Sequence, residues 1–324
     1  MKVVHELGNE VFLRNVEKFF PWIYEKNQNM IVHSDFDGIM SSMLLHEVNN
    51  WNLIGFYDLE CIWFDEQLSS LYEDKLLEVL KSSIWVDADI YHEEIRSIGH
   101  HILKFRDSDQ IPGHSRSLNP NLLRGIYHKD FNRKYPLGTV HFLMMLLKYK
   151  PRESELTELL LWHPNSSLAN SQHYRTNVED WLKNFLNIDF MIKTFPNTLT
   201  KSFEERMMKE VYPKLQNIGF DPGRAQITTL NLKLRGYQCA FNDPTNYVSK
   251  LGDLIKFIGE VMGWKELKIP IKYKSICGKR KNITYQEIRD KFGNLDSFLE
   301  KEKVFSYSIP NRGQVNYTIM PAIK

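Results

Sequence analysis

Cysteine is scarce in this sequence and forms no recognisable framework. The 324 residues include three cysteines, Cys61, Cys239 and Cys277, which are odd in number and far apart. This spacing is not typical of a disulfide-stabilised fold or of a thiolate metal site. We therefore expect all three to be small apolar residues of the interior, in a protein of the reducing cytoplasm.

Long apolar runs and an excess of one charge are also absent. No stretch approaches the roughly 20 apolar residues that cross a bilayer, the mean hydropathy is −0.41, and the first residues do not resemble a secretory signal. We therefore expect no membrane partner. Lys+Arg 42 against Asp+Glu 40 leaves a net charge of +2, so no bulk charge draws the protein to nucleic acid. Any nucleic-acid contact must come from a local basic surface.

The residues that are present have the composition of a globular chain, with 42% hydrophobic and 25% charged,. In the first half, short apolar runs alternate with amphipathic stretches. Strands are predicted at residues 29–33, 61–64, 84–87 and 98–103, and helices at 11–27, 40–48 and 67–80. Strands that alternate with helices predict an α/β fold, with a mostly parallel sheet flanked by helices.

The second half divides into a helical part and a mixed part. Helices are predicted at 139–148, 153–162, 178–186 and 203–218, followed by strands at 225–234, 237–241 and 267–276 and a helix at 247–261. The length suggests about two domains at roughly 150 residues each. We expect a first domain over residues 1–200, a helical linker to about 220, and a smaller C-terminal α+β domain over 221–324.

The segment Ile-Val-His-Ser-Asp-Phe-Asp-Gly at residues 31–38 carries the strongest chemical signal. In an extended chain, His33, Asp35 and Asp37 point to one face, just past an apolar strand, where α/β sheets usually bind ligands. One imidazole and two carboxylates suit a divalent ion such as manganese. The alternative is that the aspartates cap the following helix.

Two further strand ends carry ligand-type residues. Asp87 closes an apolar run, which is costly unless the carboxylate is paired or bound to a metal, whereas we expect Asp89 to be a solvated loop residue. His100 and His101 lie in the next predicted strand. Adjacent histidines on a strand end point in opposite directions, so one could bind a metal and the other a substrate phosphate. A purely structural histidine pair is the alternative.

These three segments, in this order, resemble the motifs of the DHH phosphoesterase family, which includes RecJ-type exonucleases and nano-RNases. The resemblance implies a DHH domain, a DHH-associated substrate domain and two manganese ions, with magnesium as a substitute. It also implies that Asp87 and His101 are catalytic. The implied metal ligands are His33 and Asp35 for one ion, Asp37 and His100 for the other, and Asp87 for both.

The sequence departs from the family pattern at three places. Gly99 stands where the family has the aspartate of its name, and a support of this kind is typically worth about 10–100-fold in activity. The fourth-motif aspartate is missing, and His163 is expected to replace it as a ligand. Phe292-Gly293-Asn294-Leu295 stands in place of the Gly-Gly-Gly-His motif of the associated domain.

A basic segment over residues 265–281 suggests the substrate. Lysines, arginine and aromatics there suit single-stranded nucleic acid, while a lysine-protected edge strand is the alternative. The expected substrate-binding residues are Arg116, Lys274, Lys279 and Arg280. We expect hydrolysis of single-stranded DNA or short oligonucleotides. Cyclic dinucleotides or small phosphate esters, and a non-catalytic nucleic-acid or protein-binding module, are the alternatives, and the oligomeric state, a homodimer included, stays open.

Overall fold

The computed structural model describes residues 9–223, 227–311 and 313–323. In this part of the chain, ten strands form two sheets. The strands are β1 (Asn29–His33), β2 (Asn52–Tyr57), β3 (Cys61–Asp65), β4 (Ile84–Val86), β5 (Arg96–Ile98), β6 (Ser117–Leu118), β7 (Tyr273–Cys277), β8 (Lys279–Thr284), β9 (Val304–Asn311) and β10 (Gln314–Ile319).

Helices cover the sheets and fill the middle of the chain. Two stretches, Leu182–Leu186 and Met207–Val211, are π-helical. The α-helices of the described residues are α1 (Asn9–Phe19), α2 (Phe36–Asn49), α3 (Glu73–Ser82), α4 (Pro120–Leu123), α5 (Thr139–Leu146), α6 (Glu155–Leu161), α7 (Ser167–His173), α8 (Arg175–Trp181), α9 (Asp189–Thr194), α10 (Lys201–Arg206), α11 (Tyr212–Ile218), α12 (Val248–Met262), α13 (Tyr285–Phe292) and α14 (Leu295–Lys301).

The larger sheet has seven strands in the order β6-β5-β4-β1-β2-β3-β7. The strands from β6 to β2 pair in parallel, and β3 and β7 add an antiparallel edge. The chain leaves β1 toward β2 on one side and later returns to β4 on the other side. The carboxyl ends of β1 and β4 therefore lie at the switch point where open α/β sheets bind ligands.

Both faces of the larger sheet are buried, as expected for parallel strands flanked by helices. Met30 and Val32 belong to the main core, whereas Ile31 between them belongs to a second cluster, because successive strand residues point to opposite faces. On the main-core side α2 packs against α5 and α12. This packing fixes the start of α2 beside the start of α5.

The smaller sheet is antiparallel, with the order β8-β10-β9, and lies against the carboxyl ends of the larger one. The backbone N–H of Tyr91 donates to Phe305 O at 2.6 Å, and that of Ile309 donates to Ile102 O at 3.1 Å. The rings of Tyr57, Trp85 and Phe305 pack edge to face, with centroids 5.3–5.9 Å apart. The smaller sheet is thus held over the site described below.

The structure confirms an α/β fold with a mostly parallel sheet and a separate small antiparallel sheet. The bounds predicted for β1 are confirmed, but β2 was not expected. The strands predicted over 225–234 and 237–241 are wrong: residues 224–226 lie outside the described part, and residues 227–241 form loops. The domain boundary at 221 stays a prediction, although β7 belongs to the larger sheet.

The expectation for two of the cysteines is also wrong. Cys61 and Cys277 are paired residues of β3 and β7 and form a disulfide, while Cys239 is free and buried. The partners are 216 residues apart in sequence, so spacing gave no hint of the pair. The cytoplasmic expectation loses the support that it drew from unpaired cysteines.

No helix in the described ranges is both long enough and apolar enough to cross a membrane.

Candidate metal centre

Three buried side chains from separate segments meet at the switch point. Asp37 lies in the first turn of α2, Asp87 directly follows β4, and His100 lies two residues after β5. One ligand atom of each lies within 4.8 Å of the others, and all three side chains are buried. Because parallel strands end at the same edge of the sheet, the fold brings these distant residues together. The group could hold a metal ion.

The Asp37 carboxylate is anchored at the start of α5. It accepts hydrogen bonds from the backbone N–H of Thr139 at 2.7 Å and of Val140 at 3.1 Å. These groups are unpaired donors of a helix N-terminus, which favours a negative charge. The chain must approach closely here, because a Cβ on Gly138 would lie 2.6 Å from Asp37 Oδ1.

Thr139 also connects the other two members of the group. Its hydroxyl donates to Asp87 Oδ1 at 2.6 Å and accepts from His100 Nδ1 at 2.8 Å. With Nδ1 as the donor, His100 keeps the lone pair of Nε2 for a ligand. Asp87 itself has φ of +57°, a left-handed backbone that costs free energy and is found at functional sites.

The electrostatics of the centre favour a bound cation. Burial and the nearby Asp35 raise the pKa of Asp37 to about 7. Burial, then Asp37 and Asp35, raise the pKa of Asp87 well above its usual range. Burial, followed by the neighbouring His101, lowers the pKa of His100 well below its usual range, which leaves a neutral imidazole. Two buried carboxylates that repel each other beside a neutral imidazole form a donor set that fits a divalent cation.

His33 and Asp35 lie at the rim of the same cleft. His33 donates through Nδ1 to Tyr57 O at 3.0 Å, and its Nε2 lies 3.7 Å from Asp35 Oδ2. Asp35 Oδ1 accepts from the backbone N–H of Gly38 at 2.9 Å, so the capping interpretation is confirmed for this residue. Capping uses only Oδ1 of Asp35, and Oδ2 of the same carboxylate points toward His33.

The two adjacent histidines do not point in opposite directions. Since β5 ends at Ile98, the alternation of a strand does not apply to them, and their rings stack with centroids 4.5 Å apart and an interplanar angle of 23°. His101 is the more exposed of the two, and both line the cleft.

The smaller sheet forms the opposite wall of the cleft, which has a volume of about 110 Å³. Arg280 of β8 lines it, together with hydroxyl and amide side chains of β9 and β10. The latter are Ser306, Ser308, Asn316 and Thr318. This wall offers hydrogen-bond donors and one positive charge to an anion in the cleft.

Four of the expected site residues lie elsewhere. His163 donates through Nε2 to Tyr237 O at 2.6 Å, and its ring packs edge-on against Phe36. Arg116 precedes β6 and contacts Glu94 O, at the opposite edge of the sheet, because it lies at the amino end of a parallel strand. The remaining two are on exposed edge strands: Lys274 of β7, with Nζ 3.6 Å from Glu66, and Lys279 of β8.

Sequence reasoning missed two residues that support the centre. The sequence places Thr139 only at the start of a predicted helix, although Gly138 before it is a residue type that permits a close approach. Asp89 was expected in solvent, but it is 5% exposed and accepts a hydrogen bond from His101 Nδ1 at 2.9 Å. The available signal for Asp89 was its position two residues after Asp87, just past the end of the same predicted strand.

The comparisons with known proteins assign this chain to no family. No protein-family model matches the chain, and no curated protein matches it.

Proposed function

We propose that this protein is a metal-dependent phosphoesterase that hydrolyses phosphodiester bonds of single-stranded DNA or short oligonucleotides. One observation carries the proposal: Asp37, Asp87 and His100 converge from three segments at the switch point of the sheet. Unpaired buried carboxylates are costly, and their convergence at a cleft is typical of sites that need a cation.

We propose manganese as the cation, because a mixed carboxylate and imidazole set suits a hard or borderline divalent ion. Magnesium is the next candidate. Two ions are proposed, with His33 and Asp35 as ligands of the second, because His33 Nε2 and Asp35 Oδ2 lie at the rim of the same cleft. We extend the proposal to the DHH phosphoesterase family, on the three segments that resemble its motifs.

The residues of the cleft have different roles in the proposed hydrolysis. When bound, the divalent ions supply Lewis-acid polarisation of the phosphoryl group and activation of water. Asp37 and Asp87 provide the negative charge that retains them, and Thr139 keeps Asp87 and His100 in place. His101 faces the cleft from the neighbouring position. The guanidinium of Arg280 can pair with a phosphate oxygen from the opposite wall.

The size of the cleft favours an oligonucleotide over a cyclic dinucleotide. Its volume of about 110 Å³ is well below the roughly 300–1,000 Å³ of pockets that enclose drug-sized ligands. The cleft is therefore too small to enclose a whole dinucleotide, and most of such a substrate would remain outside. A chain end with a flexible backbone meets this condition more easily than a compact ring.

The test is a cleavage assay with the full chain. Single-stranded DNA and RNA oligonucleotides with labels at either end, and a cyclic dinucleotide, are incubated with manganese, magnesium or chelator. We expect manganese-dependent shortening of the oligonucleotides that falls by about 100-fold or more in Asp37→Asn and Asp87→Asn. Asp109→Asn is the matched control: Asp109 is a buried aspartate that accepts from the backbone of Phe105 and Arg106, outside the cleft.

Two adjacent residues of β8 test the opposite wall. Arg280 lines the cleft and Lys279 does not, so Arg280→Ala should raise KM about 10–100-fold, the worth of a hydrogen bond to a charged group, while Lys279→Ala should leave it nearly unchanged. Binding of oligonucleotides without turnover, unaltered in Asp37→Asn and Asp87→Asn, would instead support a binding module.

A further inference from the structure

Asp89 is a buried carboxylate outside the group of metal-ligand candidates. It is 5% exposed, and both of its oxygens have partners. Oδ1 accepts from the side-chain amide of Asn119 at 2.8 Å. Oδ2 accepts from Nδ1 of His101 at 2.9 Å and from the backbone N–H of His101 at 3.2 Å. Two hydrogen bonds from one residue to one oxygen hold both the backbone and the ring of His101.

The carboxylate of Asp89 fills the space where residue 99 would have a side chain. A Cβ built on Gly99 would lie 2.1 Å from Asp89 Oδ1 and 2.3 Å from its Cγ. Real Cβ atoms do not approach so closely, so a side chain at position 99 and the present position of Asp89 exclude each other. Asp89 is buried and tied by Asn119 and His101, and it cannot move away freely. Gly99 and Asp89 therefore form a matched pair.

These contacts determine how His101 is presented. Because Nδ1–H donates to the carboxylate, Nε2 is the unprotonated nitrogen of the neutral ring. The ring stacks on His100, which fixes its plane, and its side chain is 45% exposed in the cleft. A carboxylate behind an imidazole fixes both tautomer and orientation, as it does for histidines in metal sites.

We propose that Asp89 is a positioning residue, which fills the space that a side chain at position 99 would need and holds His101 with Nε2 toward a phosphoryl group bound in the cleft. The part of this proposal that concerns the phosphoryl group rests on the proposed function. The part that concerns the ring of His101 does not, so it is tested without metal or substrate.

The first test is a cycle of thermal unfolding measurements. Gly99→Ala should lower the melting temperature by several degrees in the wild-type background, because the new methyl group overlaps the Asp89 carboxylate. In an Asp89→Ala background the same change should have a much smaller effect, since the atoms that it would meet are gone. Equal effects in the two backgrounds would overturn the matched pair.

The second test reads the ring of His101 directly. In protein with ¹⁵N-labelled histidine, with the His101 signals assigned from His101→Gln, we expect the wild-type ring to be fixed with Nδ1 protonated. In Asp89→Ala the signals should shift toward a mixture of tautomers. In Asp109→Asn they should not move, because that buried aspartate does not contact His101. An unchanged tautomer in Asp89→Ala would overturn the proposal.

The third test uses activity and separates the two proposals. Asp89→Ala should lower kcat about 10–100-fold with little change in KM, because only the orientation of a residue toward the reacting group is lost. The isosteric Asp89→Asn should recover part of this loss. If the wild type hydrolyses nothing while the first two tests give the expected results, the proposed function fails and the positioning of His101 by Asp89 stands. A wild type that is active and an Asp89→Ala variant with unchanged kcat would overturn the positioning role.

Discussion

Asp37 shows how a single residue links the fold to the centre. Its carboxylate closes the N-terminus of α5 through two backbone hydrogen bonds and also faces Asp87 and His100. The same side chain therefore stabilises a helix and adds a buried negative charge to the candidate metal centre. The position depends on a close approach of Gly138 that leaves no room for a side chain.

We therefore expect Gly138→Ala to damage both fold and site. The methyl group would meet Asp37 Oδ1 at 2.6 Å, so overpacking should lower the free energy of unfolding by about 1–3 kcal/mol and weaken manganese binding. Gly252→Ala is the matched control, since nothing lies within 4 Å of its Cβ position. As an exposed helix-interior change, it should raise the free energy of unfolding by up to about 1 kcal/mol. Denaturant unfolding measures the effect on stability, and a manganese titration measures the effect on metal binding. Equal behaviour of Gly138→Ala and Gly252→Ala in both measurements would contradict this role of Gly138.

The raised pKa of Asp37 predicts a pH dependence of stability in chelator. The pKa rises from 3.8 to about 7 on folding, so between these pH values the folded protein binds more protons than the unfolded chain. The contribution of Asp37 to stability therefore falls as pH rises from about 4 to 7. His100 acts in the opposite direction below its ordinary value of 6.5, so the comparison that isolates Asp37 is with Asp37→Asn.

Melting temperatures between pH 5 and 8 test this expectation. In chelator, the wild type should lose stability relative to Asp37→Asn as pH rises, and manganese should remove the difference by compensating the carboxylates. A constant difference between wild type and variant across this range would show that Asp37 titrates as an ordinary exposed carboxyl group.

At the scale of elements, two edge strands carry Lys274, Lys279 and Lys281 of the basic segment, and Lys272 directly precedes the first of these strands. β7 is the last strand of the larger sheet, and β8 is an edge of the smaller one. Lys272 and Lys274 lie near Glu66 at 3.9 and 3.6 Å. Lysines on exposed edges prevent pairing with other chains, so the edge-strand interpretation suits these residues. Arg280 alone of the expected basic set lines the cleft.

The Cys61–Cys277 disulfide fastens β7 to β3, directly before the chain passes to β8. It closes a long loop, with partners 216 residues apart. We expect reduction to lower the free energy of unfolding by about 2–4 kcal/mol. Denaturant unfolding with and without reductant measures this, and a Cys61→Ala, Cys277→Ala double variant should not respond to reductant. A wild type that is equally stable in both conditions would contradict the expectation.

The sequence predicted elements whose signal is local and missed those that depend on distant partners. β1 is an apolar run that ends in polar residues, and its bounds were predicted. β2 contains Gly55, where a Cβ would lie 2.3 Å from Trp63 O, so its glycine reflects a cross-strand contact that no local pattern contains. Residues 227–241 are apolar enough for strands, but their backbone is bound elsewhere. Leu232 N–H donates to the buried Glu204, and Gln238 O accepts from Phe36 N–H at 2.7 Å.

For the candidate centre, the strands that precede the ligand-type residues in the sequence predict some members of the site but not others. Asp37, Asp87 and His100 follow strands of one parallel sheet, so their convergence follows from the fold class. The supports of the centre, Thr139 and Asp89, act through hydrogen bonds across the fold, which residue type alone does not reveal. His163 fits a ligand by type, but its Nε2–H is bound to Tyr237 O.

At the scale of the whole molecule, the centre lies where two sheets meet. The larger sheet supplies the carboxylates and imidazoles, and the smaller sheet supplies Arg280 and neutral donors on the opposite wall. Backbone hydrogen bonds such as that from Ile309 to Ile102 hold the two sheets together. The molecule thus combines a group that could hold a cation with a wall that suits an anion, which is the arrangement that the proposed phosphoester hydrolysis requires.

The most direct test of the central claim is a manganese titration of chelator-treated protein, followed by the electron paramagnetic resonance signal of free manganese. We predict saturable binding to the wild type and to Asp109→Asn, and a loss of affinity of at least about tenfold in Asp37→Asn and in Asp87→Asn. No saturable binding to the wild type, or binding that neither of these two variants weakens, would contradict a metal centre at this site.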